Sequence, residues 1–176
     1  MIMVTARKET AMNEEDRSLT LTMIMEPRQA NIFGNIHGGE IMRLMDTTAG
    51  ATAIKYVKSN VVTARVDELQ FLKPIHIGNF VTSTGTIVYT GNTSIEIHVT
   101  VDAEDLRRPN SKGRAIEAFF TLVALDENER PTRVPSFAPG TEREKAMYEH
   151  VKTRREFDRK RHEEAKKHMG GSEREV

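Results

Sequence analysis

Residues 34–58, GNIHGGEIMRLMDTTAGATAIKYVK, decide the fold. From Gly39 onward the apolar positions recur at a helical period, with Ile41, Leu44, Met45, Thr48 and Thr52 on one stripe and Met42, Ala49, Ala53 and Tyr56 beside it. So wide a stripe predicts a helix from Gly39 to about Lys58 that is almost wholly buried. Gly50 and its small neighbours Ala49, Ala51, Thr52 and Ala53 let other backbone approach closely, and a sheet wrapped around the helix is the partner that fits. At its start, Gly38-Gly39 permits close approach by a ligand. Unpaired N–H groups and the positive end of the helix dipole there suit an oxygen that becomes negative during acyl transfer or hydrolysis.

Working outward, Ser18 to Met25 alternates apolar and polar residues as a half-buried strand does, and Pro27 ends it. After Ser59-Asn60 come four more segments with strand character. Val61 to Leu72 carries Val62, Ala64 and Val66 on one face, then changes phase to Leu69 and Phe71, which predicts a bulge near Asp67-Glu68. Phe80 to Tyr89 turns at Gly91-Asn92 into the cleanly alternating Ser94 to Asp102, a hairpin. Arg114 to Leu125 is apolar on both sides, as a central strand would be. One long helix with an antiparallel sheet to bury against gives an α+β domain over residues 18–139. Residues 1–17 read as a loose arm. Residues 140–176 read as a charged, mostly solvated helix with a frayed Gly170-Gly171 end.

The 176 residues fit one domain, 38% of them apolar and 30% charged. Twenty-six basic and twenty-six acidic residues cancel, so overall charge points to no nucleic-acid partner. The lack of cysteine excludes disulfides, thiolate metal ligands and a cysteine nucleophile. No apolar run approaches the length of a membrane span, and Met1 to Thr10 lacks the core of a secretory signal, so the expected location is cytoplasmic.

Asp46 lies two helical turns beyond the glycine pair. Met42, Ala49 and Gly50 cannot solvate its carboxylate, which suits a partly buried general base or nucleophile; the alternative is a surface acid paired with Arg43. Asn35 either shapes the turn between Gly34 and Ile36 or holds a water or carbonyl oxygen. His37 has no serine to activate and reads as a cap, and the remaining histidines show no metal-ligand spacing. Arg107, Arg108 and Lys112 form a small basic loop, either simply solvated or reached by the phosphates of a ligand. Neither a dinucleotide fingerprint nor a phosphate loop is present.

With these residues in view, Gly-Asn-Ile-His-Gly-Gly followed by Leu-Met-Asp resembles the hotdog-fold acyl-CoA thioesterases. Phe71-Leu72-Lys73-Pro74-Ile75, Gly91-Asn92-Thr93-Ser94 and Ala118 to Asp126 recur in the same order in that family. The resemblance covers about Leu19 to Pro135, and the nearest branch is the bacterial short- and medium-chain enzymes with the brain-type acyl-CoA hydrolase. It implies a curved sheet around a central helix, dimers with sites at the subunit interface, and a trimer of dimers. It also implies acyl-CoA as substrate, coenzyme A as product, and no cofactor. Asp46 falls on the catalytic carboxylate and Asn35 on the catalytic asparagine, with Gly38 and Gly39 as oxyanion donors. Asn92, Thr93, Ser94, Arg107 and Arg108 fall near the coenzyme A portion. A non-catalytic acyl-CoA-binding module on the same fold is the alternative.

Overall fold

The computed structural model describes residues 17–169. The expected arm before Arg17 and the Gly170-Gly171 end lie outside the described residues. Strand β1 (Ser18–Ile24) leads through a short 3-10 turn at Pro27–Gln29 to helix α1 (Gly38–Val57), followed by β2 (Asn60–Phe71), β3 (Phe80–Thr90), β4 (Ser94–Glu104), β5 (Gly113–Leu125) and helix α2 (Glu142–Met169). All strand pairs are antiparallel, in the order β1-β3-β4-β5-β2. The predicted elements therefore form, with α1 against the inner face of the sheet.

α1 packs through Ile41, Met45, Ala49, Ala53 and Tyr56 onto the inward residues of the strands, Val81, Ile87, Ile95, Ile97, Val99 and Phe120 among them. The helix sits tightly over β3. Thr48 and Ser83 hydroxyls are 2.8 Å apart, and Thr52 Oγ1 donates to the Thr48 carbonyl at 2.7 Å. A Cβ added at Gly85 would stand 2.5 Å from Thr52 Oγ1 and 3.3 Å from Thr48 Cγ2. Gly85→Ala is therefore expected to cost about 1–3 kcal/mol of stability by overpacking, read as a lower denaturation midpoint at unchanged slope.

Two expectations need correction. α1 is not wholly buried: Met42, Arg43, Asp46, Thr47 and Ile54 are exposed along one side, because a single sheet covers only half of a helix. On β2, Val61, Val66 and Leu69 face the core, whereas Val62 and Ala64 are exposed. The expected bulge is present between Asp67 and Gln70, but a second one between Thr63 and Arg65 shifts the phase earlier. Between the two bulges Arg65 and Asp67 turn to the outer face.

α2 crosses that outer face. Glu144 meets Arg17 before β1, Tyr148 packs at a tilt against Tyr89 of β3, and Arg154 and Arg155 bind Glu96 of β4. Asp158 then reaches Arg65 of β2. Glu96 is only 1% exposed, so its charge is tolerable because two guanidinium groups and the faces of Phe119 and Tyr89 surround the cluster. The rise from Glu144 to Asp158, about 21 Å, matches the roughly 19 Å width of five strands.

Candidate active site

The approach to α1 is a small hairpin. Ala30 and Ile36 pair, Asn31 N–H donates to the Asn35 carbonyl at 2.7 Å, and His37 N–H donates to the Gln29 carbonyl at 2.8 Å. The Asn31 side chain holds the bend, since its Oδ1 accepts from Phe33 N–H at 2.9 Å and Asn35 N–H at 3.2 Å. Both contacts use the acceptor end of the amide, which leaves its two N–H groups free to donate. His37 caps the helix: its Nδ1 accepts from Gly39 N–H at 3.2 Å. Gly39 is thereby engaged, while Gly38 N–H has no acceptor among the described residues.

Gly38 lines a cleft of about 360 Å³ together with Asn35, Ile41, Phe71, Leu72 and Ile116. A Cβ at Gly38 would fall 3.1 Å from the Phe71 ring, so glycine keeps this wall open. Lys73 and Pro74 join it to a second cleft of about 430 Å³ lined by His76, Asp105, Arg107 and Arg108. Arg107 and Arg108 reach Asp105 at 3.1 and 3.5 Å and keep most of their side chains in solvent. The Asp105 carboxyl, bonded first by the Arg107 side chain, is held below the usual carboxylate range.

Asp46 stands elsewhere. Its Oδ1 accepts a hydrogen bond of 2.6 Å from Thr63 Oγ1 on β2, and Arg43 pairs instead with Glu40 at 2.9 Å. The surface pairing with Arg43 is thus absent, and so is the expected partial burial, for Asp46 is exposed in the single chain. Eight residues of helix, about 12 Å, separate it from Gly38. Asn92, Thr93 and Ser94 lie at the other end of β4 from Arg107 and Arg108, roughly 33 Å along the strand. Ser94 Oγ accepts from Arg155. The structure therefore joins Asn35, Gly38 and the basic loop, but brings neither Asp46 nor residues 92–94 to them.

A family model described as Thioesterase superfamily matches residues 33–109. The cytosolic acyl coenzyme A thioester hydrolase of Rattus norvegicus is 40% identical over 136 residues, covering 77% of this chain and 36% of that protein. The chain thus spans about a third of the length of this relative. A hexameric acyl-CoA thioesterase superposes with a TM-score of 0.79 at 35% identity, covering 84% of this chain and 94% of the other. The acyl-CoA hydrolase of Staphylococcus aureus, solved with butyryl coenzyme A, coenzyme A and its disulfide, gives 0.78 at 29%, covering 89% and 94%. Structures of that hydrolase also exist with alanine in place of an aspartate, of an asparagine fifteen residues before it, and of a threonine seventeen residues after it. Asn31, Asp46 and Thr63 stand at the same spacings here. Thr63 and Asn31 are the two residues that sequence patterns passed over, one as a strand residue and one as part of a turn, and only this spacing marks them. By these matches over most of its length, the chain belongs to the thioesterase superfamily.

Proposed function

We propose that the protein hydrolyses acyl-CoA thioesters and does so as a dimer joined along β2. The observation that carries this reading is the separation within one chain: an open cleft at the Gly38 helix start, and a carboxylate held by Thr63 on the uncovered side of the same helix. β2 is an edge strand, unpaired on its outer side among the described residues, and Phe71 and Leu72 at its end are 56% and 51% exposed. Antiparallel pairing of two such edges brings the Asp46–Thr63 pair of one protomer to the cleft of the other. It also covers the exposed stripe of α1.

In the composite site Asp46 accepts a proton from water, and the hydroxide oxygen bonds to the thioester carbonyl carbon. Gly38 N–H and the Asn31 amide N–H donate to the oxyanion that forms. Its collapse breaks the carbon–sulfur bond, and the leaving thiolate takes the proton back from Asp46, giving a free acid and coenzyme A. Asn31 thus takes the amide role expected for Asn35, which lines the cleft instead. Lys73, Arg107 and Arg108 supply positive charge for the phosphates of coenzyme A in the adjoining cleft. Residues 92–94 stand at the far end of β4 from this arrangement. A cytoplasmic location suits a soluble coenzyme A ester and the cytosolic relative.

Thiol release from acyl-CoA esters of increasing chain length is the direct test. Turnover is expected, with Asn31→Ala slowing it by about 10²–10³-fold, as for loss of one oxyanion donor, and Asn35→Ala having a smaller effect. Tight acyl-CoA binding without turnover would convert the reading to a binding module.

A further inference from the structure

We propose that α2 is a second dimer contact, in which the helix passes beside its counterpart from the other protomer over the outer face of the joined sheets, with Phe157 between them. The inference rests on the β2 pairing proposed above.

That pairing fixes a register. Asp46 is held at Thr63, and the cleft it must reach opens at Phe71, which lines it together with Gly38. In an antiparallel pair Thr63 then stands opposite the partner's Phe71, and two-fold symmetry places the axis midway, at Asp67. On the shared sheet this is the row of Phe119 and His98. α2 crosses its own sheet along that row and the adjacent one, meeting Phe119 through Arg154 and Arg65 through Asp158. Arg65 is two residues from the axis, about 7 Å along the strand. The symmetry-related helix therefore runs antiparallel on the other side of the axis, roughly 13 Å away or less, which approaches the 8–10 Å of packed helices.

The facing flank has the residues for such a contact. His150, Arg154, Phe157 and Arg161 repeat at helical spacing along one side of α2, and His150 and Arg154 lean toward Glu68, just past the axis. Phe157 is 66% exposed on this flank, in a helix whose other exposed positions are mostly charged. Beyond Asp158 the helix continues for eleven residues, past the last strand of its own sheet. Arg159, Lys160 and Arg161 open that extension, which over the other protomer passes the side of the sheet that carries Glu68 and Glu117, partly exposed and already paired within their own chain with Arg154 and Arg114. An exposed apolar residue at the seam, on a helix that runs off the sheet at the unpaired β2 edge, selects a second copy of this chain as the occupant.

The absence of cysteine makes the test clean, since Phe157→Cys introduces a single thiol. With a short bis-maleimide in dilute solution, this variant is expected to become a covalent dimer on a denaturing gel. Lys152→Cys, on the opposite flank, is expected to remain a single chain. Phe157→Asp is expected to raise the dimer dissociation constant about tenfold or more by sedimentation, the equivalent of 1.4 kcal/mol. A protein that sediments as a dimer yet gives no Phe157→Cys cross-link, or whose dissociation constant ignores Phe157→Asp, overturns the α2 contact and leaves the β2 pairing standing. A protein that is monomeric and still hydrolyses thioesters removes the pairing and this inference together.

Discussion

Asp46→Ala is expected to reduce thioester hydrolysis by about 10²–10⁴-fold, the usual contribution of a positioned acid–base group, while the protein stays folded. The two halves of that expectation come from the same geometry. Asp46 is exposed in the chain and its carboxylate accepts from the Thr63 hydroxyl, so its removal opens no cavity within the protomer and strands no buried charge there. The rate falls because no other carboxylate replaces it: Glu40, one and a half turns earlier, is committed to Arg43. Asp46→Asn is expected to be nearly as slow, since the amide keeps the shape and the Thr63 contact but cannot take a proton from water. Thr63→Ala is expected to lose less, because the hydroxyl orients one carboxylate oxygen and does not itself accept a proton. Circular dichroism and thermal midpoint serve as the control for folding, and a single-turnover assay measures the chemical step. A variant at Asp46 with unchanged turnover would end the proposal that this carboxylate performs the chemistry.

The strands and α1 were legible in the sequence because each buries one face against a common core, and burial writes its period into the residues. The phase of β2 was not. Its first bulge, at Ala64, follows from how β2 must curve around α1, and a bulge moves side chains from one face to the other without altering composition. Long-range placement was hidden for a similar reason. Ser94 and Arg107 are close in sequence, but the strand between them carries them to opposite ends of the sheet. The Glu96 cluster joins β4 to residues 58 and 59 positions later, where the charges looked merely solvated. At the site, Gly38 and Asp46 stood out by residue type and context. Asn31 did not, because its acceptor oxygen serves an ordinary turn; the structure shows that both backbone contacts use that oxygen, which leaves the amide N–H groups for the proposed chemistry.

Mixing two impaired variants is expected to restore activity, and the amount recovered distinguishes a shared site from a self-contained one. Take Asn31→Ala and Asp46→Ala, each expected to be slowed at least about a hundredfold alone. If each site draws Asn31 from one protomer and Asp46 from the other, a mixed dimer holds one site with both residues intact and one with neither. Random exchange of equal amounts makes half of the dimers mixed, so total activity approaches about a quarter of the unmodified protein. A site built within one chain predicts no recovery at any ratio, because every site then carries one of the two substitutions. The 12 Å or so of α1 between Gly38 and Asp46 favours the first outcome: a thioester carbonyl within hydrogen-bond reach of Gly38 lies too far from the Asp46 of its own chain for a single water to bridge. Recovery should also depend on exchange, appearing slowly when folded dimers are mixed and at once when the two chains are refolded together. Immediate recovery without exchange, or none after co-refolding, would contradict the two-chain site even if Asp46 itself proved essential.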